Sequence, residues 1–300
     1  MIIIAHRGAS GARPEHTLAA YDLAIELGAD FIEPDLVFTR DGRLVCRHDR
    51  TLSLTTNVAD RPEFTDRRTS KPGFEHPDWF VEDFTLAELE TLRARQPFAG
   101  RSTEWDDELG IPTFDEMLAL VRRRATELHR PIGVYPETKH PSFFAGRGHD
   151  FVGPLLESLR RHRFDEPSLV FIQSFEPEIL RRLRALTDAP LIRLIEGDRG
   201  EDDGGAPPFA GEALEEMASY ADGVGPDKRL VYDSRIGGDT GFVGRAHDHG
   251  LAVHPWTFRV DAVGPGFSVF EDELRAVART GIDGLFTDFP GRARQELVPG

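Results

Sequence analysis

Apolar, strand-like runs alternate with helical patterns along the whole of this chain, and that alternation limits the fold more than any other feature. The runs are MIIIA, DFIEPDLVF, PIGVYPE, SLVFIQS, PLIRLI, ADGVGP, LAVHPWTF and IDGLFTD. The first is rich in β-branched residues, whose stiff side chains suit a pleated strand. Between the runs, TFDEMLALVRRRATEL puts Phe114, Met117, Leu118, Val121, Ala125 and Leu128 at helical spacing. Asp115 and Glu116 fall in its first turn, where carboxylates complement the free N–H groups. EPEILRRLRAL, EALEEMASYA and VFEDELRAVARTG repeat the design. Eight such runs in 300 residues predict an α/β fold, a (β/α)8 TIM barrel. A doubly wound open sheet is the competing architecture, but no run is followed by G-x-G-x-x-G.

Residues 50–112 break the rhythm with a stretch rich in Pro, Asp and Arg. A loop of that length is usually functional, and it reads as an insertion after the second strand with one short helix in TLAELETLRAR. The acidic, Gly-rich EGDRGEDDGGAPPFAGE reads as a mobile surface loop. Neither reads as a domain boundary, so residues 1–300 are expected to form one barrel domain.

In such a barrel, chemistry sits at the C-terminal ends of the strands. The first run ends in His6-Arg7; the second carries Glu33 and Asp35, after which RDGRLVCRHD brings His48 and Asp49. The third gives Glu137 and Lys139, the fourth Gln173 and Ser174, the seventh His254 and Trp256, the eighth Asp288. Glu33 and Asp35 are two apart, so on a strand they share one face. Isolated buried carboxylates are costly, and Glu137 adds a third from the neighbouring strand. Three acidic groups without three matching cations describe a site for a hard cation with oxygen ligands. The competing reading pairs Glu33 or Asp35 with Arg7 or Lys139.

Charge narrows the partners. A net charge of −16 repels nucleic acid and anionic membrane surfaces, so no nucleic-acid partner and no stable membrane association are expected. An anionic small substrate then needs a local positive device. The single cysteine, Cys46, excludes internal disulfides and reads as a packed thiol. No apolar run approaches the ~20 residues of a membrane span. The N-terminus enters a strand directly, without a basic stretch or cleavage site, which as written predicts a cytoplasmic protein; a trimmed start would fit an extracytoplasmic one. Nothing in the sequence bears on oligomeric state.

The segment AHRGASGARPEHTLAAYDLAIELGADFIEPDLVFTRDGRLVCRHD, followed by TLSLTT, resembles the glycerophosphodiester phosphodiesterases. The resemblance continues through YPETK, IQSFEPEIL, HPWTF and GLFTDFP, over essentially the whole chain. It implies a (β/α)8 barrel with an insertion after the second strand. NVAD, DWFVEDFTLAEL and VYPETKHPSFF resemble the branch with larger insertions, often extracytoplasmic and calcium-dependent. The resemblance implies metal-dependent hydrolysis of glycerophosphodiesters to glycerol 3-phosphate and an alcohol. His6 and His48 would be general acid and base, a task suited to a ring that titrates near neutrality. Glu33, Asp35 and Glu137 would ligate one divalent cation, Ca2+ or Mg2+. Arg7 and Lys139 would hold phosphate oxygens, Arg7 in a two-pronged grip, and Gln173 and Trp256 would contact substrate. Which histidine is the base is left open, with His6 favoured; head-group preference and a cyclic intermediate are open as well. The family's PENT reads PEHT here, with His16 at the Asn position, so Thr17 is expected to cap the first helix.

Two other classes compete. A phospholipase D- or C-like barrel acting on intact lipids would want an exposed apolar rim, for which Trp79, Phe80, Phe143 and Phe144 are available. A non-catalytic phosphodiester-binding barrel would not need all the acid/base and metal positions filled, as they are here.

Overall fold

Prolines interrupt three of the eight expected staves, at Pro34, Pro136 and Pro255. The structure, a computed structural model, describes residues 1–197, 211–234 and 238–298, so most of the acidic stretch read as a surface loop lies outside the described residues. The first stave is β1 (Ile2–His6). The second is β2 (Phe31–Glu33) and β3 (Asp35–Phe38), separated at Pro34, and β3 turns back into β4 (Leu44–Cys46). The third is β5 (Gly133–Val134) and β6 (Glu137–Thr138), separated at Tyr135-Pro136. Then come β7 (Ile172–Ser174), β8 (Leu191–Ile195) and β9 (Gly223–Pro226). A small antiparallel pair, β10 (Tyr232–Asp233) and β11 (Gly238–Asp239), precedes β12 (Ala252–Val253) and β13 (Gly284–Thr287).

The staves pair in parallel in sequence order: β13 with β1, β1 with β2, β2 with β5, β3 with β6, and so on to β9 with β12. Between β12 and β13 the ring is joined by main-chain bonds. Asp283 N–H donates to Val253 O (3.0 Å), Phe286 N–H to Pro255 O (3.1 Å) and Phe258 N–H to Phe286 O (2.9 Å). A helix follows each stave; the first is α1 (Leu18–Glu26), the second, after the insertion, α3 (Phe114–Leu128). Both begin as their sequences require. Thr17 Oγ1 caps α1 by accepting from Ala20 N–H, and Thr113 with Glu116 forms a capping box on α3. Phe114, Met117, Leu118 and Val121 are buried as expected, whereas Leu128 is exposed in the last turn.

Pleating decides what the barrel holds. Side chains two apart point the same way, so five of the staves present an apolar residue to the interior and then a polar one nearer the mouth. Ile4 precedes His6, Phe31 precedes Glu33, Tyr135 precedes Glu137, Phe171 precedes Gln173 and Phe286 precedes Asp288. Ile4, Phe31, Tyr135, Ile192 and Phe286 pack into an interior cluster, with Phe171 against it. Tyr135 stacks on Phe171 at 4.8 Å, and its hydroxyl bonds His254 Nδ1 at 2.8 Å, which makes His254 a core residue. Gly133 is required here, because a Cβ would lie 2.1 Å from the Phe31 ring.

The T-x-D-G element is a turn. Gly42 takes φ +75°, Thr39 Oγ1 donates to Asp41 Oδ1, and β4 returns antiparallel to β3. That return leads His48 back over the barrel mouth. Residues 50–112 then cover one side of the mouth around their own core of Leu52, Val58, Phe64, Trp79, Phe80 and Phe84. The expected helix in TLAELETLRAR is only α2 (Leu86–Leu89), capped by Thr85 and Glu88. The chain beyond it leaves helical geometry to bridge Ala94 to Thr56.

Candidate active site

The C-terminal mouth opens into a cavity of about 760 Å3, lined among others by His6, Arg7, Glu33, His48, Glu137 and Lys139. Its floor is the interior aromatic cluster. Strand register sets its first ring: His6 lies beside Glu33, Asp35 beside Glu137, and Glu137 beside Gln173.

Glu33, Asp35 and Glu137 are buried, and one oxygen from each lies within 4.8 Å of the other two. Part of their charge is met by protein. Arg7 Nε is 3.2 Å from Asp35 Oδ2, Lys139 Nζ is 2.8 Å from Glu137 Oε1, and the Arg7 N–H donates to Glu33 Oε2 at 2.9 Å. Arg7 Nη1 is also drawn to Glu15 Oε2 at 2.9 Å. The pairing of Asp35 with Arg7 therefore exists, but Arg7 and Lys139 face the three carboxylates and Glu15 together, so negative charge remains in excess. The excess is visible in protonation. Burial, then Asp35 and Glu137, drive the Glu33 carboxyl well above its usual range. Burial, then Asp35, push Glu137 up to about 8 against Lys139. Burial also disfavours the Asp35 charge, but Lys139, His48 and Arg7 outweigh it and hold Asp35 ionised. Gln173 Oε1 is buried without a hydrogen-bond partner. An all-oxygen cluster with surplus charge fits a hard divalent cation.

Two imidazoles flank the cluster, each backed by a carboxylate. His6 Nδ1 bonds Asp288 Oδ1 at 2.7 Å and His48 Nδ1 bonds Asp49 Oδ1 at 2.6 Å. Burial, then Arg7, lower His6 to about 4, so its ring is neutral at pH 7. A carboxylate accepts only, so Nδ1 of His6 carries the proton and Nε2 keeps its lone pair. The hydrogen bond from His48 holds Asp49 down at about 2.

The structure brings His6, Arg7, Glu33, Asp35, His48, Glu137, Lys139, Gln173 and Trp256 to one mouth and leaves His254 in the core beneath it. Two of the three guanidinium nitrogens of Arg7 are already engaged by Glu15 and Asp35, which weakens the two-pronged grip expected of it. Gln173, expected to contact substrate, donates through Nε2 to Glu33 Oε1 at 3.3 Å. Trp256 lines the cavity with its Nε1–H tied to Gly225 O at 2.8 Å. The four aromatics expected for an apolar rim do not form one: Trp79, Phe80 and Phe144 are buried, and Phe143 lies under the Arg50 guanidinium at 3.4 Å. His16 is more than a loop residue. It is buried, with Nε2 2.9 Å from Asp35 Oδ2 and Nδ1 2.8 Å from the Tyr21 hydroxyl. Sequence reasoning missed the pairing of Asp288, Asp49 and Glu15. The HD dipeptide and the two-residue step from Phe286 were the available signals. Cys46 is buried and unpaired, with burial pushing its thiol up, as a packed thiol should be.

The chain matches the model of the glycerophosphoryl diester phosphodiesterase family over residues 6–292. A glycerophosphodiester phosphodiesterase of Arabidopsis thaliana is 34% identical, covering 96% of this chain and 83% of its own length. One from Haemophilus influenzae is 30% identical, covering 96% and 87%. Among solved structures, a Silicibacter pomeroyi protein superposes with a TM-score of 0.75 at 24% identity, covering 99% of this chain and 93% of that one. An Oleispira antarctica phosphodiesterase, solved with its product sn-glycerol-3-phosphate, gives 0.69 at 22%, covering 99% and 96%. These two likenesses support the barrel fold. With the family model spanning nearly all of its length, this chain belongs to the glycerophosphoryl diester phosphodiesterase family.

Proposed function

We propose that the protein hydrolyses glycerophosphodiesters to glycerol 3-phosphate and an alcohol, with His6 and His48 as the acid–base pair. The observation that carries this reading is a buried three-carboxylate cluster flanked, in one cavity, by two imidazoles that each rest on a carboxylate. His6, neutral with Nε2 unprotonated, takes the proton from the attacking hydroxyl. That hydroxyl belongs to water, or to the substrate's own glycerol, in which case the cyclic phosphate so formed is opened by water in a second step to give glycerol 3-phosphate. A P–O bond forms to it as the P–O bond to the head-group alcohol breaks, and His48 delivers a proton to the departing oxygen. Arg7 and Lys139 draw the phosphate oxygens to the site and offset charge as it builds. Glu33, Asp35 and Glu137 would hold a divalent cation, Ca2+ or Mg2+, which supplies Lewis-acid polarisation of a phosphoryl oxygen. Gln173 orients Glu33, and Trp256 forms one wall for the substrate.

The test uses glycerophosphocholine, with glycerol 3-phosphate measured after chelation and after readdition of Ca2+ or Mg2+. Turnover that vanishes with chelator and returns with the ion supports the reading; turnover indifferent to chelator removes the cation from it. His6→Ala and His48→Ala should each lose roughly 100-fold or more in kcat. A binding barrel without chemistry would show no turnover to lose. Phosphatidylcholine vesicles should be left intact, since Trp79, Phe80 and Phe144 are buried and Phe143 is covered by Arg50.

A further inference from the structure

Behind His6 lies an ionic network that enters from the segment of residues 50–112 and has Arg259 at the cavity wall. Asp288 is its centre. Oδ1 accepts a hydrogen bond from His6 Nδ1–H, while Oδ2 accepts from Arg101 Nη2 and from Arg259 Nε, both at 2.7 Å. Arg101 is almost fully enclosed, with 3% of its side chain exposed. Its fork grips Asp261 through Nε at 2.6 Å and Nη2 at 3.1 Å, and Nη1 donates to Ser10 O at 3.2 Å. One guanidinium thus ties three separate places together: the loop after β1, the loop after β12, and the end of β13. Gln96 Nε2 also donates to Ser10 O, at 3.1 Å, and Arg13 lies 4.1 Å over the Trp105 ring. This arm of the insertion is therefore clamped to the loop that leaves His6.

We propose that Arg101 is a positioning residue for His6, acting through Asp288, so that the insertion helps set the acid–base geometry and does more than wall the cavity. The inference rests on the reading of His6 as the base. Its physical basis is the demand on Asp288. A carboxylate that must aim Oδ1 at one ring nitrogen needs its other oxygen fixed, and Oδ2 has only the two arginines. Burial disfavours the Asp288 charge, yet His6, Arg259 and Arg101 together hold it well below the usual carboxylate range. Loss of Arg101 leaves Arg259, a quarter exposed and free of the clamp, to orient the carboxylate alone. The ring would then lose its single orientation and its single tautomer.

The test compares Arg101→Gln, Arg101→Lys and His6→Ala with the wild type. It uses steady-state kinetics on glycerophosphocholine and nitrogen-15 histidine spectra that report the tautomer of each ring. His6→Ala identifies the His6 signal. Arg101→Gln should lower kcat by roughly 10- to 100-fold with KM changed less than about twofold. The His6 signal should move from pure Nδ1–H towards a mixture, and added guanidinium should restore part of kcat. Arg101→Lys, which reaches Asp288 or Asp261 but does not fork between them, should fall between the two. Unchanged kcat, or a rise in KM alone, or an unmoved His6 signal, overturns the proposal. If neither Arg101 variant folds, the arginine is structural and the proposal is overturned too. If His6→Ala keeps wild-type turnover, the catalytic reading itself has failed, whatever the Arg101 variants do.

Discussion

Binding of a divalent cation should release protons, because the cluster holds them in the cation's absence. Glu137 is pushed up to about 8, so at pH 7 only about one molecule in ten carries it ionised. A cation that ligates this carboxylate must displace that proton, and its apparent affinity at pH 7 should be about 10-fold below its value above pH 9. The slope of log Kd against pH is about −1 between pH 6 and 8 and flattens beyond. Glu33, raised by burial and by its two acidic neighbours, adds to the same trend. The sign for folding follows. A carboxyl whose folded pKa is raised keeps its proton in the folded state after the unfolded chain has lost its own. The metal-free protein therefore loses about 1.4 kcal/mol per pH unit from Glu137 as pH climbs from roughly 4.5 to 8. A cation at 100-fold its Kd restores about 2.7 kcal/mol. For 300 residues, that is a rise of about 4 °C in Tm. Titration calorimetry in two buffers of different ionisation heat, at pH 7, measures the protons released per ion. Tight binding with no proton release and no pH dependence would refute the electrostatic reasoning; no binding at all would refute the site.

Three further perturbations address single contacts. Asp49→Asn removes the carboxylate on which His48 rests while keeping its size, and should lower kcat by about 10-fold or more with little change in Tm, read by paired kinetics and calorimetry. His16→Ala removes one of the two groups that hold the buried Asp35 Oδ2, leaving Arg7 Nε at 3.2 Å, and should weaken Ca2+ binding by about 10-fold in titration calorimetry as Asp35 loses its fixed orientation. Gly8→Ala places a methyl at φ +85°, 2.7 Å from the Ala20 carbonyl carbon, and should cost at least 2 kcal/mol in denaturant unfolding.

The barrel was readable because its rule is local. Strands, helices and the two-residue step from interior to mouth all lie in short windows, which is why His6, Glu33, Asp35, Glu137 and Gln173 could be placed together from spacing. The TRDG turn and the return to His48 were legible for the same reason. What lay beyond reach depends on contacts far apart in the chain. Trp79 looks like a loop aromatic, but its Nε1–H donates to Phe64 O at 2.6 Å inside a core that only the folded insertion makes. Phe144 packs against Phe38 and Phe151 from two other elements. TLAELETLRAR has helical spacing throughout, yet Ala94 is captured by Thr56, and tertiary pairing overrides propensity there. Arg101 carries no sequence signal; its partners lie 91, 160 and 187 residues away.

The aromatic plug of Phe31, Tyr135, Phe171 and Phe286 makes this barrel a blind well. Whatever the carboxylates exchange with bulk solvent travels through the opening that admits the diester, for the bottom is stoppered by hydrocarbon. An occupant of the upper chamber therefore stands between the carboxylates and the solvent.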